Sequence, residues 1–140
     1  MARADFYLID KPRFREDPLL LVCELVKRAY AAEQPTLILA RSQEQADELD
    51  ANLWEFDEDS FIPHQIAGDD DDAITAVVIA PPEVATADRP LIINLRDECV
   101  SARCERVLEV VAADESERAG SRERWKMYKQ AGFELKKFDM

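Results

Sequence analysis

Thr36-Leu-Ile-Leu-Ala40 is a nearly continuous apolar run of strand length, bounded by Pro35 on one side and Arg41 on the other. A strand that is apolar at successive rather than alternate positions is covered on both faces, as strands of parallel sheets are. Upstream, Leu19, Leu20, Val22, Cys23, Val26 and Tyr30 recur at helical spacing, and Asp17-Pro18 supplies a capping residue followed by the proline favoured in a first turn. The spacing predicts a helix over 18–33. Before it, Ala4-Asp-Phe-Tyr-Leu-Ile9 is short, aromatic and aliphatic, and followed by Lys11-Pro12, so it reads as a buried first strand ending in a loop. Strand, helix and strand together form a βαβ unit.

The pattern continues outward from that unit. Ser42 with Gln45 three residues on is a capping box, and it opens a mostly polar helix through Ala46, Leu49 and Leu53 to Trp54. Residues 76–80 and 91–94 are two further strand candidates separated by Pro81-Pro82 and a polar turn, and 106–111 is another, rich in β-branched residues. Residues 115–131 are helix formers apart from Gly120, and Gly132 stands where a C-terminal cap belongs. Three helical segments alternating with about five strands predict a three-layer α/β/α domain with a mostly parallel sheet, with room for an antiparallel edge.

A chain of 140 residues fits one domain spanning 1–140, large enough to bury roughly two-thirds of its unfolded surface without disulfide or metal staples. Hydrophobic residues make up 47% of it, which argues against disorder. Its 18 basic residues face 30 acidic ones, a formal charge of -12, the wrong sign for a protein whose main task is gripping nucleic-acid phosphates. No apolar run approaches the ~20 residues of a membrane span. Residues 1–9 carry Arg3 and Asp5 instead of a basic stretch and a long apolar core, so a cytoplasmic location is expected. Cys23, Cys99 and Cys104 are odd in number and lack CxxC spacing, which speaks against structural zinc or a disulfide framework.

An α/β domain invites a nucleotide, yet Gly68, Gly120 and Gly132 all lie far from the ends of the first two strands, and neither GxGxxG nor GxxxxGK[ST] occurs. No cofactor is expected. The single histidine, His64 in Ile-Pro-His-Gln, has no nucleophile at a recognisable elbow beside it and reads as a loop histidine. Asp69-Asp-Asp-Asp72 lacks the glycine and terminal glutamate of a calcium loop and reads as a solvated loop. No catalytic constellation emerges.

The stronger signal is charge asymmetry. Residues 118–137 hold seven basic side chains against two acidic ones, a local excess of +5 that leaves -17 for the rest of the chain. Arg118, Arg122, Trp125 and Lys129 fall at i, i+4, i+7 and i+11, one helical stripe of cations around an aromatic ring. Such a stripe suits a carboxylate-bearing peptide end, since an arginine fork pairs with the carboxylate and the ring shelters an apolar side chain. A basic solvated face with Trp125 turned inward fits the same spacing. Trp54 and Phe61 flank an acidic stretch; their hydrophobicity alone points to the core, whereas exposed they would anchor a protein interface.

Four segments, Asp5-Phe-Tyr-Leu-Ile9, Leu49-Asp-Ala-Asn-Leu-Trp54, Ser60-Phe-Ile-Pro-His-Gln-Ile-Ala-Gly68 and Arg122-Glu-Arg-Trp-Lys-Met-Tyr-Lys-Gln-Ala-Gly-Phe133, resemble in order and spacing the chi subunit of the bacterial DNA polymerase III holoenzyme. The resemblance implies a Rossmann-like domain without a nucleotide site, acting as a non-catalytic adaptor in replication. It implies two partners: the psi subunit of the clamp loader, and the acidic C-terminal tail of single-stranded DNA-binding protein, ending in Phe. By this likeness Arg118, Arg122, Trp125 and Lys126 hold the tail, with Arg122 on its carboxylate, and Val111 and Trp125 line the pocket for the Phe ring. The family's usual Tyr is Trp125 here. Trp54, Phe61 and Pro63 correspond to the psi-facing surface, separate from the tail site, and the chain is expected as a monomer or a 1:1 heterodimer with psi. The competing expectation is a small-molecule or nucleotide-dependent enzyme that uses the basic C-terminal helix as an anion site.

Overall fold

The computed structural model describes residues 2–56, 61–68, 74–100 and 104–140. The acidic run 69–72, expected as a solvated loop, lies outside the described residues. In chain order the elements are β1 (Arg3–Leu8), α1 (Pro12–Glu16), α2 (Pro18–Ala31), β2 (Thr36–Leu39), α3 (Gln43–Phe56), β3 (His64–Ile66), β4 (Val77–Ala80), β5 (Leu91–Asn94), β6 (Arg106–Val111), α4 (Glu115–Gln130) and β7 (Glu134–Asp139). Among the described residues, seven strands form one sheet in the order β3-β4-β2-β5-β6-β1-β7, and every pairing is parallel. The predicted α/β fold with a parallel sheet is therefore observed, with two more strands than expected and no antiparallel edge among them. The additions are β3, which is three residues long, and β7; α1 occupies the stretch expected as loop.

Strand pleating sorts the core into two faces. Tyr7, Ile38, Ile79, Ile93 and Leu108 point to one side, where α1, α2 and α3 cover them with Phe14, Leu21, Leu25, Val26, Leu49 and Leu53. Ala4, Phe6, Leu37, Val78, Ile92, Val107 and Val111 point to the other, where Tyr128 of α4 packs with Val100. Strands buried on both sides explain the apolar runs that predicted them.

The capping chemistry is partly as expected. Ser42 Oγ accepts the Gln45 N–H at 3.1 Å, while Gln45 Oε1 reaches back to the Arg41 N–H at 2.7 Å, one residue earlier than in the usual reciprocal box. Asp17, expected to cap α2, does so with its backbone alone: its carbonyl accepts the Leu20 N–H at 3.0 Å, and its carboxylate makes no capping bond. The reason is that its own N–H is already committed to Arg13 O at the end of α1, which holds φ and ψ away from the usual cap geometry.

Gly132 has φ 89°, and the end of α4 is a Schellman motif: Phe133 N–H donates to Tyr128 O and Gly132 N–H to Lys129 O, with the Tyr128 and Phe133 rings 5.0 Å apart. That turn launches β7. Gly132→Ala is expected to lower stability by about 1–2 kcal/mol, because a Cβ is disfavoured at this φ. Nothing stands within 4 Å of the added methyl, so strain alone would be read in a chemical denaturation curve with unchanged slope.

A basic groove on the last helix and an aromatic patch at the far edge

The N-terminus of α4 is fixed by Asp114, whose carboxylate accepts the Ser116 N–H and hydroxyl, both at 2.9 Å. Those two bonds hold the Asp114 carboxyl below its usual range. From there Arg118, Ser121, Arg122, Trp125 and Lys126 descend one side of the helix. With Phe6 and Leu8 of β1, Val111 of β6 and Lys137 of β7 they line an open groove of about 340 Å³. Its floor is apolar and its rim carries Arg118, Arg122, Lys126 and Lys137. Trp125 stands edge-on to Phe6 with ring centroids 5.0 Å apart, and Lys137 Nζ lies 5.3 Å from the Trp125 ring centroid.

All five residues singled out for a carboxylate-ended peptide, Val111, Arg118, Arg122, Trp125 and Lys126, thus meet on one groove. Lys129, grouped with the stripe by spacing, does not line it. Lys137 was missed because β7 was not foreseen; Phe6 and Leu8 follow from strand alternation once β1 is paired with β7. Arg124, counted with the basic run, faces inward.

The rim already holds an acid. Glu115 places its carboxylate oxygens 3.8 Å from Arg118 Nη1 and 3.5 Å from Arg122 Nη2, all partly or largely exposed. Arg118 also donates from Nε to Ala112 O at 3.1 Å, so its guanidinium is oriented by the backbone. A ligand carboxylate that pairs with those guanidinium groups would compete with Glu115 for them. Glu115→Gln is therefore expected to tighten binding of an acidic peptide two- to fivefold at low salt, an advantage that fades as salt screens the pair. Titrations at two ionic strengths check it.

Between α4 and strands β5 and β6 lies a buried polar cluster that sequence reasoning did not find. Glu109 on β6, 1% exposed, accepts from Arg124 Nε at 2.9 Å, Asn94 Nδ2 at 2.7 Å and Tyr128 Oη at 2.7 Å. Tyr128 Oη in turn accepts the Val100 N–H at 3.0 Å, and Arg124 reaches Asp97 O and Ser121 Oγ. These bonds tie α4 to β5, β6 and the 95–100 loop and set the angle at which the groove residues project. Burial pushes the Glu109 carboxyl up, opposed first by the Arg124 charge. A glutamate inside an otherwise apolar buried strand was the available signal, since such a group demands partners.

Trp54 and Phe61 do not enter the core. Trp54 is 64% exposed at the end of α3, and Phe61 is 77% exposed with φ 37°, a left-handed backbone that costs a bulky residue strain. Pro63 is exposed beside them and its carbonyl accepts the Val77 N–H at 3.1 Å, pinning the segment to β4. His64, expected in a loop, begins β3 instead. Its imidazole is buried under Trp54 at 4.9 Å between ring centroids, with Nδ1 2.8 Å from Ile62 O and Nε2 3.1 Å from Asp50 O. It locks α3 to β3. Aromatic patch and basic groove stand at opposite ends of the sheet, five strand spacings or roughly 24 Å apart between β3 and β1.

At the carboxyl ends of the central strands, where parallel sheets hold phosphates after a glycine-rich turn, the chain's own Arg96 donates to Ala40 O, Ala80 O and Pro81 O at 2.9–3.1 Å. No helix among the described residues is long and apolar enough to cross a membrane.

Fold and groove together define an α/β protein with a parallel sheet, an arginine clasp at the strand ends and a ligand-sized cleft beside its last helix. Residues 1–136 match the family described as DNA polymerase III chi subunit, HolC. The chain is 31% identical over 140 residues to DNA polymerase III subunit chi of Pseudomonas aeruginosa, covering 96% of this chain and 94% of that one. It is 31% identical over 141 residues to the same subunit of Escherichia coli K12, covering 96% of each. The chain belongs to the DNA polymerase III chi subunit family. Membership gives it an accessory role in DNA replication rather than a catalytic one, which sets aside the enzyme alternative. Among solved structures, the C-terminal domain of the DEAD-box protein Dbp5 superimposes with a TM-score of 0.68 at 11% identity, covering 99% of this chain and 90% of that one. T4 UvsW gives 0.64 at 5% identity, covering 99% of this chain and 41% of that one. These two likenesses concern the fold.

Proposed function

We propose that the chain is an adaptor that joins the clamp loader, through the psi subunit, to the acidic C-terminal tail of single-stranded DNA-binding protein. The observation that carries this reading is the groove itself: Arg118, Arg122, Lys126 and Lys137 surround an apolar floor of Phe6, Leu8, Val111 and Trp125. A peptide end presents an apolar side chain and a carboxylate on the same residue, and this cleft complements both. Arg122 takes the terminal carboxylate, Trp125 and Val111 shelter the Phe ring, and Arg118 and Lys126 attract the preceding acidic residues. Affinity is modest, steered by charge and weakened by salt, and many tails around one DNA-bound oligomer compensate through effective concentration.

The test is fluorescence anisotropy with a labelled acidic peptide ending in Asp-Phe, run with a free and an amidated terminus at low and moderate salt. Binding that needs the free carboxylate and falls with salt supports the reading; equal binding of both forms overturns it.

Psi binds at the other end of the sheet, on Trp54, Phe61 and Pro63. The support is that two large rings are held out of the core there, one at a strained backbone position. Trp54→Ala is expected to weaken psi at least tenfold and to leave the tail peptide within twofold, as measured by co-purification with psi and by anisotropy.

A further inference from the structure

β7 ends the sheet, and among the described residues no strand pairs with its outer side. In a parallel ladder, alternate residues of a strand direct their N–H and C=O groups to opposite sides. Glu134 N–H donates to Ala2 O at 3.0 Å, Met140 N–H donates to Leu8 O at 2.8 Å, and Met140 O accepts the Asp10 N–H. The even-numbered residues therefore serve β1. Leu135, Lys137 and Asp139 turn their main-chain groups outward, along an edge that is exposed at every position except Leu135. Three successive donor and acceptor sets in one row are a template for another strand.

The side chains on that edge select which strand. Lys136 and Lys137 occupy its middle, between Glu134 and Asp139 at its ends. Central lysines repel a second copy of the same edge and attract an extended chain that is acidic. Lys137 belongs to edge and groove at once: its side chain lines the cleft and lies over Trp125, while its main chain faces outward. A peptide leaving the groove thus meets the open edge directly.

We infer that the acidic peptide whose terminal residue fills the groove continues as an eighth strand on β7, hydrogen-bonded to the main chain of Leu135, Lys137 and Asp139. This rests on the groove reading above and adds to it. The residues upstream of the terminus are held through their backbone and their charge, with no demand on their order beyond acidity and an extended conformation.

The experiment uses the full chain, isotope-labelled for amide exchange, and an acidic peptide of about nine residues ending in Asp-Phe with a free carboxylate. Two further peptides carry N-methyl groups at alternate upstream positions, one at the odd set and one at the even set. Strand addition uses one set of amides and leaves the other in solvent. One methylated peptide should therefore lose at least tenfold in affinity while the other stays within twofold to threefold. Exchange at Leu135, Lys137 and Asp139 should slow at least tenfold on binding, with Lys136 and Phe138 already protected in the free protein. Equal affinity of the two methylated peptides, together with unchanged exchange at those three amides, overturns the added strand while leaving the groove reading standing. Failure of the unmodified peptide to bind overturns both. Protection of the three amides that grows with protein concentration in the absence of peptide assigns the edge to a second copy and also overturns the proposal.

Discussion

Arg122→Ala is expected to weaken the free-carboxylate peptide about thirtyfold or more, which corresponds to about 2 kcal/mol. The magnitude is that of a charge-assisted hydrogen bond to a carboxylate that loses its donor. Folding should be untouched. Arg122 is exposed and its contact in the folded chain is the weak pair with Glu115 at 3.5 Å, so the melting temperature should move by a degree or so. Arg122→Lys separates two accounts of the groove. If the arginine fork seats the carboxylate, lysine recovers a minor part of the loss; if the rim acts as a general positive field, lysine restores nearly all of it. Anisotropy for the three proteins, with thermal melts alongside, gives both readouts.

Glu109→Ala is expected to lower the unfolding free energy by about 3–5 kcal/mol, a large share of what a chain of this size holds in reserve. Removing the carboxylate leaves Arg124, Asn94 and Tyr128 as buried or half-buried donors that face one another across a void. Replacing charge and partner together, as Glu109→Leu with Arg124→Met, should recover a substantial part, because well-packed apolar residues substitute for a buried pair better than half a pair does. The pH dependence has a definite sign. Burial raises the Glu109 carboxyl above the ordinary value of 4.5, so between that value and its raised one the folded chain binds more protons than the unfolded chain. Stability contributed by this group is therefore greatest below the window and is lost as pH rises through it. Urea denaturation of the parent and of Glu109→Gln across this range should show the parent's stability, relative to the variant, falling with increasing pH. A difference that grows with pH would mean that Arg124 outweighs burial.

The parts of the fold legible in the sequence are those where one physical cause dominates. Residues 37–40 and 91–93 are apolar at every step because both faces are covered, and 18–31 carries one apolar stripe because one face is covered. The added elements fail that test for a plain reason. β7 has four charged residues in six because it lies at the edge, and β3 is three half-buried residues at the opposite edge. Strands with one neighbour in the sheet lose the pattern that marks strands with two. The same gap hid Lys137. The stripe on α4 was legible because helical spacing alone places Arg118, Arg122 and Trp125 on one side, but spacing could not tell Lys129 from Lys126; the sheet beneath decides that. For Trp54 and Phe61, hydrophobicity argued for the core, and what puts them outside is tertiary: His64 takes the buried place beneath Trp54.

The order of the strands also fixes how the molecule would carry a load. A pull between the aromatic patch and the groove runs across the strands, along the ladder hydrogen bonds rather than along any strand, so the bonds open in succession instead of sharing the strain. The ladders differ in length: β1 meets β6 and β7 through six residue pairs each, whereas β3 meets β4 through three. Yielding would therefore begin at the β3 end, where Phe61 and Pro63 lead into the shortest ladder, while the six-residue ladders around the groove still hold.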